Sequence, residues 1–246
     1  MPKRNPIILI HGLWNTADIF SSITSKLDEI GIEYFAPTLK HQYGMTSIVE
    51  LTNLLNDLIL EKYGYEKKLD ILGFSMGGII GRYWIKKLNG YKRTRRFITI
   101  GSPHKGTLAS QLIPKYPFKG ISEMKINSLL LRELSKSDYL LSGIDCISFF
   151  TYWDLMVFPG WRASLNSGEK ISLKIYKHKN LVRNPNAIDK IVLSCMQHCK
   201  FKLWSGFVIA LLLFSCFGLL LSRVSKTREP YEAIRFLQGP TANLER

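Results

Sequence analysis

The sequence predicts an α/β fold, in which a mostly parallel β-sheet carries helices on both faces. Short apolar runs alternate along the chain with longer segments whose apolar residues recur at helical spacing, and this alternation is typical of parallel sheets. The chain has 246 residues and is 46% hydrophobic, which is enough for one α/β domain with a large core. A separate uncharged run at residues 203–222 predicts a C-terminal transmembrane helix.

The predicted strands are short apolar runs. The first, at residues 6–10, is expected to be a buried strand because a breaking residue, Pro6, bounds its apolar run. Because predicted helices separate most of the strands, we expect them to lie parallel, with the helices covering both faces of the sheet. The other strands are predicted at residues 33–36, 68–72, 97–100, 146–152 and 171–176.

The predicted helices have apolar residues on one face. Residues 17–30 bring Ile19, Ile23 and Leu27 together at helical spacing, and the later helices follow the same pattern. These later helices are predicted at residues 45–62, 75–88 and 186–199, and the last of them closes the domain.

The segment 108–141 fits this alternation poorly. It contains Pro114, Pro117 and Gly120 before the apolar run SLLLREL. Insertions beside an active site often form lids or acyl-binding walls. The segment is therefore either a lid or acyl-binding wall of this kind, or an ordinary surface excursion with one short helix.

A serine lies where the third predicted strand gives way to a helix, in the motif Gly73-Phe74-Ser75-Met76-Gly77. A sharp turn from strand to helix holds its corner residue in strained dihedrals, and neighbours without side chains relieve the crowding. The corner side chain then projects into the open, beside the amides that begin the helix. This G-x-S-x-G pattern, in its strand–helix context, predicts the nucleophile elbow of an α/β-hydrolase fold rather than a glycine-rich turn with a serine cap.

A serine nucleophile needs a base and an acid that orients the base. In α/β hydrolases the chain order is serine, acid, histidine, and ligands gather at the carboxyl ends of the strands. Asp154 comes just past the apolar run CISFFTYW, and His178 comes just past ISLKIYK. We therefore predict Ser75, Asp154 and His178 as the catalytic residues.

The remaining acids and histidines meet these requirements less well. Asp145 and Glu169 precede their strands, which puts them at the opposite edge of the sheet, and His11 is expected to fix a turn after the first strand. The other acids lie in the irregular segment or violate the chain order, and they are Glu133, Asp138 and Asp189. The other histidines are His41 and His104, which are expected to be solvated in loops, and His198 on the closing helix.

An acyl-transfer site also needs two amides that bind the oxyanion. One comes from the residue after the nucleophile, which is Met76, and the other from a loop after an early strand. The motif HGLW supplies such a loop, and we predict the amide of Leu13 as the second donor. Asp70 is close to the elbow in sequence, but it precedes the strand's end and is expected to be structural.

Four blocks of sequence together resemble the bacterial lipase family of α/β hydrolases, that is, triacylglycerol-lipase-like proteins of cyanobacterial type. The blocks are IILIHGLWNTADIF, LDILGFSMGGIIGRYW, FITIGSPHKGTLAS and YWDLMVFP, and the resemblance covers roughly residues 6–196. It implies carboxylester hydrolysis through an acyl-serine, with Ser75, Asp154 and His178 in the catalytic roles. It also implies that no metal or organic cofactor is used.

The function predicted from these features is that of a serine ester hydrolase for lipids or other apolar esters. An acyltransferase or a thioesterase is the alternative within the same chemistry, because both also form an acyl-serine. Outside the enzymes, the alternative is a non-catalytic hydrolase fold that is held at the membrane as a scaffold.

The formal net charge is +15, which favours polyanionic partners such as nucleic acid or anionic lipid. The sequence has no recognition helix, zinc-finger spacing or RNA-binding signature, so we do not expect nucleic acid as a partner. The four cysteines form no C-x-x-C pair, and Cys195, His198 and Cys199 supply too few groups for a closed zinc site. No metal site is therefore predicted.

The chain divides into a hydrolase domain at residues 1–200, the apolar run at 203–222 and a tail at 223–246 that is expected to lack a fold. The apolar run is 20 residues long, and a helix of that length crosses roughly 30 Å of hydrocarbon. The basic N-terminus leads directly into a strand and has no apolar region suited to a cleaved signal peptide. We therefore expect a cytoplasmic catalytic domain and membrane as a partner, with the C-terminal helix as the anchor.

Overall fold

A computed structural model describes residues 4–196, which form a parallel β-sheet with helices on both faces. Within these residues the strands are β1 Ile7–Ile10, β2 Tyr34–Phe35, β3 Leu69–Phe74, β4 Thr94–Ile100, β5 Asp145–Phe150 and β6 Glu169–Ser172. The α-helices are α1 Ser21–Glu29, α2 Ile48–Tyr63, α3 Met76–Lys87, α4 Lys119–Glu123, α5 Leu129–Lys136 and α6 Pro185–Met196. The spatial order of the strands is β2-β1-β3-β4-β5-β6, and every neighbouring pair is parallel.

Successive residues of each central strand enter two different cores, because side chains alternate across a sheet. In β1, Ile8 and Ile10 pack on one face with Trp84 of α3, while Ile7 and Leu9 pack on the other face with residues of α1 and α6. The first core also receives residues of α2 and α5. The strands are nearly continuous apolar runs because both faces are covered, as the sequence predicts.

The strand that leads to the predicted base is shorter and earlier than expected. It was predicted at residues 171–176, but β6 ends at Ser172. Its neighbour β5 ends at Phe150, which pairs with Ser172 and accepts a hydrogen bond from the amide of Leu173 at 2.7 Å. Among the described residues the strand ladder does not continue beyond Ser172, and His178 begins a 3₁₀ turn, His178–Val182, instead of directly following a strand.

Two helical predictions also need correction. The segment predicted as one helix at residues 17–30 starts with a 3₁₀ turn, Ala17–Phe20, before α1. The irregular segment 108–141 contains two α-helices, α4 and α5, rather than one. Ser128 caps α5 by accepting a hydrogen bond from the amide of Leu131, which fixes where that helix begins.

Among residues 4–196, no helix is both long enough and apolar enough to cross a bilayer. The predicted anchor at 203–222 and the tail at 223–246 lie outside the described residues, as does the end of the closing helix beyond Met196.

Candidate active site

Ser75 is a single residue between the end of β3 at Phe74 and the start of α3 at Met76. Its backbone has φ 53° and ψ −124°, a conformation that residues with a side chain rarely adopt. The amide of Ser75 donates to the carbonyl oxygen of Ile100 at 2.8 Å, and its own carbonyl accepts from the amide of Gly78 at 3.1 Å. The strained corner that the sequence predicts is therefore present and is held on both sides by backbone hydrogen bonds.

The glycines around Ser75 allow other backbone segments to approach the corner. A Cβ atom added to Gly12 would lie 2.6 Å from Ser75 Cβ and 3.2 Å from Ser75 Oγ. A Cβ atom on Gly73 would lie 2.5 Å from the backbone nitrogen of Gly78, and one on Gly77 would overlap the carbonyl oxygen of Ile10. Side chains at these positions would push the loop after β1 and the helix α3 away from the serine.

Asp154 and His178 form a hydrogen-bonded pair. The distance from His178 Nδ1 to Asp154 Oδ2 is 2.6 Å, and Asp154 is only 1% exposed. The other carboxylate oxygen, Oδ1, accepts from the amides of Met156 at 2.9 Å and Val157 at 3.1 Å. The acid is thus fixed by its own loop, and one oxygen is left to orient the imidazole.

The imidazole of His178 lies at the carboxyl ends of β3 and β4. Its ring stacks on Phe74, the neighbour of Ser75, with ring centroids 4.8 Å apart and planes 29° from parallel. A Cβ atom on Gly101, just after β4, would lie 3.1 Å from His178 Cε1, and Gly101 has a φ of +55° that favours glycine. The structure therefore brings the predicted base to the residue beside the predicted nucleophile.

His178 Nε2 is buried and has no hydrogen-bond partner among the described residues. When Nδ1–H donates to a carboxylate, the neutral imidazole has its lone pair at Nε2. This nitrogen is then the acceptor that a proton from a serine hydroxyl requires.

Of the two predicted oxyanion donors, Met76 directly follows Ser75 in the chain, and Leu13 lies in the loop after β1. Met76 is the first residue of α3, and the first amides of a helix have no carbonyl partner within the helix. Leu13 follows Gly12, which packs against Ser75, and the side chain of Asn15 donates to the Leu13 carbonyl at 2.7 Å. The next residue, Trp14, has a φ of 58°.

His11 fixes the turn after β1, as expected. Its Nδ1 lies 2.9 Å from the carbonyl oxygen of Gly12, and its Nε2 accepts from the amide of Leu39 at 2.8 Å. These two bonds require the neutral tautomer with the proton on Nδ1. Burial lowers the pKa of His11, which agrees with a neutral ring.

His104 does not behave as the sequence predicts. It was expected to be solvated in its loop, but it is 2% exposed and stands edge-to-face with Phe97 at 6.3 Å between centroids. Neither ring nitrogen has a hydrogen-bond partner within the described part of the chain. Burial, together with the nearby charges of Arg82 and Lys86, holds the pKa of His104 well below its ordinary value.

A buried ion-pair cluster joins the elbow helix to the insertion, and we call it the Asp138 clamp. Asp138 accepts from Arg82 Nη2 at 2.8 Å and also pairs with Lys86 Nζ. Burial lowers the pKa of Lys86 to about 8. Burial by itself would raise the pKa of Asp138, but the bonds from Lys86 and Arg82 outweigh it and leave that pKa lowered.

Sequence reasoning missed the Asp138 clamp. Arg82 and Lys86 are four residues apart on α3, with Tyr83, Trp84 and Ile85 between them. That spacing puts the two cations on one face of the helix, and this pattern could have predicted that they share an anionic partner.

The other acids lie away from the candidate site. Asp70 pairs with Arg95 Nη2 at 2.7 Å, and Asp145 pairs with Arg96 Nη2 at 2.8 Å, both near the amino ends of strands. The structural role expected for Asp70 is therefore confirmed. Asp189 pairs with a lysine of α1, and Glu169 is the exposed first residue of β6.

Comparison with known proteins supports the same fold. The chain resembles Aspergillus fumigatus lipase B with a TM-score of 0.64 at 15% identity, over 80% of this chain and 53% of that protein. It also resembles the mature Bacillus licheniformis lipase BlEst2 with a TM-score of 0.62 at 13% identity, over 80% of this chain and 94% of that one. For polyneuridine aldehyde esterase the TM-score is 0.55 at 14% identity, over 79% and 100%. The chain thus spans about half the length of the fungal lipase and nearly all of the other two.

The sequence model of one family covers the first part of the site and ends before Asp154 and His178. It is described as palmitoyl protein thioesterase and matches residues 6–153, a range that includes the elbow and the loop after β1. Together with the fold, this match identifies an α/β-hydrolase of the lipase, esterase and thioesterase type. The chain belongs to the palmitoyl protein thioesterase family.

Proposed function

We propose that the protein is a serine carboxylester hydrolase in which Ser75 is the nucleophile, His178 the base and Asp154 the residue that orients the base. The observation that carries the proposal is the pair of His178 and Asp154, 2.6 Å apart, whose imidazole stacks on the neighbour of a strained serine. The left-handed backbone of Ser75 costs free energy, and so does the buried Nε2 of His178, which lacks a hydrogen-bond partner among the described residues.

The proposed reaction begins when His178 Nε2 takes the proton of Ser75 Oγ as that oxygen attacks the substrate carbonyl. The oxyanion that forms is bound by the amides of Leu13 and Met76. The imidazolium, stabilised by Asp154, then gives its proton to the leaving group as the bond to it breaks. Water deprotonated by His178 then attacks the acyl-serine, and the imidazolium returns the proton to Ser75 Oγ as the acyl–oxygen bond breaks and the acid leaves. These steps use no metal or organic cofactor.

The proposed substrate is a lipid or another apolar ester. The support is a stretch of residues 152–161, here called the aromatic loop, which contains Asp154 and exposes a series of apolar side chains beside the site. Trp153 of this loop faces Tyr176 with centroids 6.2 Å apart. An exposed apolar patch of this kind is typical of a surface that meets an apolar ligand. The exposed members are Tyr152, Trp153, Leu155, Met156, Phe158 and Trp161.

A thioester substrate is the second candidate, and the family assignment favours it. Ester and thioester hydrolysis share the acyl-serine, so the catalytic residues do not distinguish them. An acyltransferase would use the same intermediate with another acceptor. The resemblance of the four sequence blocks to cyanobacterial-type lipases favours an oxygen ester as the substrate.

Labelling by a fluorophosphonate probe tests the enzyme against the non-catalytic scaffold. We expect the wild-type protein to be labelled and Ser75→Ala to remain unlabelled, with Ser142→Ala as a control on an exposed turn. Absence of wild-type labelling would favour the scaffold. Hydrolysis of a matched octanoyl ester and octanoyl thioester then ranks the two substrate classes by kcat/KM.

The proposed membrane attachment rests on the sequence alone. We propose that residues 203–222 anchor the protein, that the catalytic domain is cytoplasmic, and that the basic surface favours anionic lipid over nucleic acid. Removal of residues 203–246 is expected to move the protein from the membrane to the soluble fraction, while hydrolysis of a short soluble ester persists. A truncated protein that stays with the membrane would contradict the anchor.

A further inference from the structure

A groove of about 700 Å³ lies beside the candidate active site, and we call it the cationic groove. Its size is within the range of small-molecule binding sites. The proposed catalytic residues do not line it, so the reaction described above does not use it. The lining residues that matter here are Trp14, Lys40, His41, Tyr43, Lys179 and Arg183.

The groove shares two chain segments with the candidate site. Trp14 directly follows Leu13, the proposed oxyanion donor, and Lys179 directly follows His178, the proposed base. A substrate whose carbonyl is held by these residues therefore has the groove next to its reacting bond. That position suits one part of the substrate and not a separate ligand.

The charge in the groove is unbalanced. Lys40, Lys179 and Arg183 line it, against one acid, Asp18, whose carboxylate already accepts from Thr16 Oγ1 at 3.1 Å. Within residues 4–196, none of these three cations forms an ion pair. Cations that line one groove and outnumber its acids attract an anion.

Three of the residues that line the groove have a strained, left-handed backbone. Trp14, Gln42 and Tyr43 have φ values of 58°, 45° and 57°, although none of them is a glycine. Trp14 and Tyr43 nevertheless expose 52% and 72% of their surface. Left-handed conformations at residues with side chains cost free energy and cluster at ligand-binding segments. Here they hold two aromatic rings at the rim instead of in the core.

We propose that the cationic groove binds a phosphate group carried by the substrate, on the side of the leaving group. The proposal rests on the proposed function, since it extends that reaction to a substrate class. Lys179 and Arg183 supply charge-assisted hydrogen bonds to the phosphate oxygens, and Lys40 supplies further positive charge from the opposite loop. Trp14 and Tyr43 cover the apolar linker between the phosphate and the reacting carbonyl.

The test uses two matched substrate pairs that differ by one phosphate. The first pair is S-hexanoyl-4′-phosphopantetheine and S-hexanoylpantetheine, which stands for a soluble thiol carrier. The second pair is 1-hexanoylglycerol 3-phosphate and 1-hexanoylglycerol, which stands for a lipid headgroup. The measured quantity is the phosphate selectivity, defined as kcat/KM for the phosphorylated compound divided by kcat/KM for its neutral partner.

We expect wild-type phosphate selectivity of about tenfold in at least one pair, and the pair that shows it identifies the source of the phosphate. The variant Lys179→Gln/Arg183→Gln is expected to bring that ratio close to one. The matched control is Lys87→Gln/Lys190→Gln, which removes the same charge from two exposed positions outside the groove. The control is expected to keep the wild-type ratio.

Two results would overturn the groove while leaving the hydrolase intact. One is hydrolysis of all four compounds with selectivity near one in both pairs. The other is an equal loss of selectivity in the control variant, which would assign the effect to the net charge of +15. A protein that hydrolyses none of the four compounds and is not labelled by fluorophosphonate fails as a hydrolase, and then binding alone decides about the groove.

Binding is measured by calorimetry with Ser75→Ala, which does not need turnover. The two probes are 4′-phosphopantetheine and glycerol 3-phosphate, each compared with its form lacking phosphate. We expect at least one phosphorylated probe to bind about tenfold more tightly than its neutral form, and the variant with Lys179→Gln/Arg183→Gln added to lose that difference. Equal binding of the phosphorylated and neutral forms of both probes would overturn the proposal.

Discussion

The two ends of the central strands use polar residues in opposite ways. At the amino ends, Asp70 pairs with Arg95, and Arg96 pairs with Asp145 while donating to the carbonyl of Ser194 at 2.6 Å. These charged groups are satisfied by partners from other elements of the fold. They join β3, β4, β5 and α6 and contribute to stability.

At the carboxyl ends, polar groups are left without partners and the backbone is strained. Ser75 has a left-handed φ, and within the described residues His178 Nε2 and both ring nitrogens of His104 lack hydrogen bonds. Each such feature costs on the order of 1–3 kcal/mol. The difference indicates that one end of each strand stabilises the fold while the other end is available for chemistry. Substitutions at the two ends should therefore separate activity from stability.

The largest expected effect is the loss of activity in Ser75→Ala. Removal of a triad nucleophile lowers turnover by about 10⁶-fold, because no acyl-enzyme can form. The midpoint of urea unfolding should not fall, since the alanine occupies the same strained corner with fewer atoms. Turnover of a short ester and urea unfolding are measured on the same preparation. Near-wild-type turnover would remove Ser75 from the proposed mechanism.

The second prediction concerns the pair that activates the serine. His178→Ala should reduce turnover almost as much as Ser75→Ala, and the double variant should be no worse than either. Asp154→Asn should cost about 10⁴-fold, because the histidine then favours the wrong tautomer. The control is His198→Ala, expected to be nearly silent. Loss of activity in that control but not in His178→Ala would assign the base to the closing helix.

The third prediction places a small steric change at the same end of the sheet. Gly12→Ala adds a Cβ atom 2.6 Å from Ser75 Cβ, so the loop or the serine must move. Displacement of this size lowers kcat by about 10²-fold. Gly143→Ala is the matched control, since a Cβ atom there meets nothing within 4 Å. Equal activity in the two variants would mean that the position of the first loop is unimportant.

The fourth prediction moves to the amino ends. Arg96→Met removes the partner of Asp145 and the donor to two carbonyls of α6, and should lower the free energy of unfolding by about 2 kcal/mol. The cost is moderate because Asp145 is 28% exposed and can be hydrated. kcat should be unchanged, and the exposed Arg132→Met serves as the control. A fall in kcat without a fall in stability would contradict the purely structural role of the amino ends.

The smallest effect at neutral pH comes from His104, whose contribution to stability changes only as the pH falls. Its pKa in the folded protein lies well below the ordinary 6.5, so below that pH the unfolded chain binds a proton that the folded chain does not. Stability is therefore full above pH 6.5 and falls by up to about 1.4 kcal/mol per pH unit as the pH drops below it. His104→Leu should show a shallower fall between pH 7 and pH 5 in urea unfolding. Identical slopes in the two proteins would mean that His104 is protonated in the folded state.

The sequence predicts the sheet well because buried parallel strands are continuous apolar runs that need no long-range information. The candidate catalytic residues follow from chain order, and Asp154 and His178 do meet in the structure. The end of β6 could not be predicted, because it depends on where its neighbour β5 stops. The burial of His104 could not be predicted either, because a loop that packs inward has the same local sequence pattern as a loop in water.

The Asp138 clamp sets a rule for exchanging the insertion. The elbow helix presents Arg82 and Lys86 to the interior, and the carboxylate that neutralises them comes from the inserted segment. A chimera that received another wall in place of residues 108–141, but no carboxylate at this position, would leave two cations facing each other without a counter-ion. In loop grafting, then, the apolar surface of this segment is free to vary, whereas the grafted segment has to keep a carboxylate at the position of Asp138.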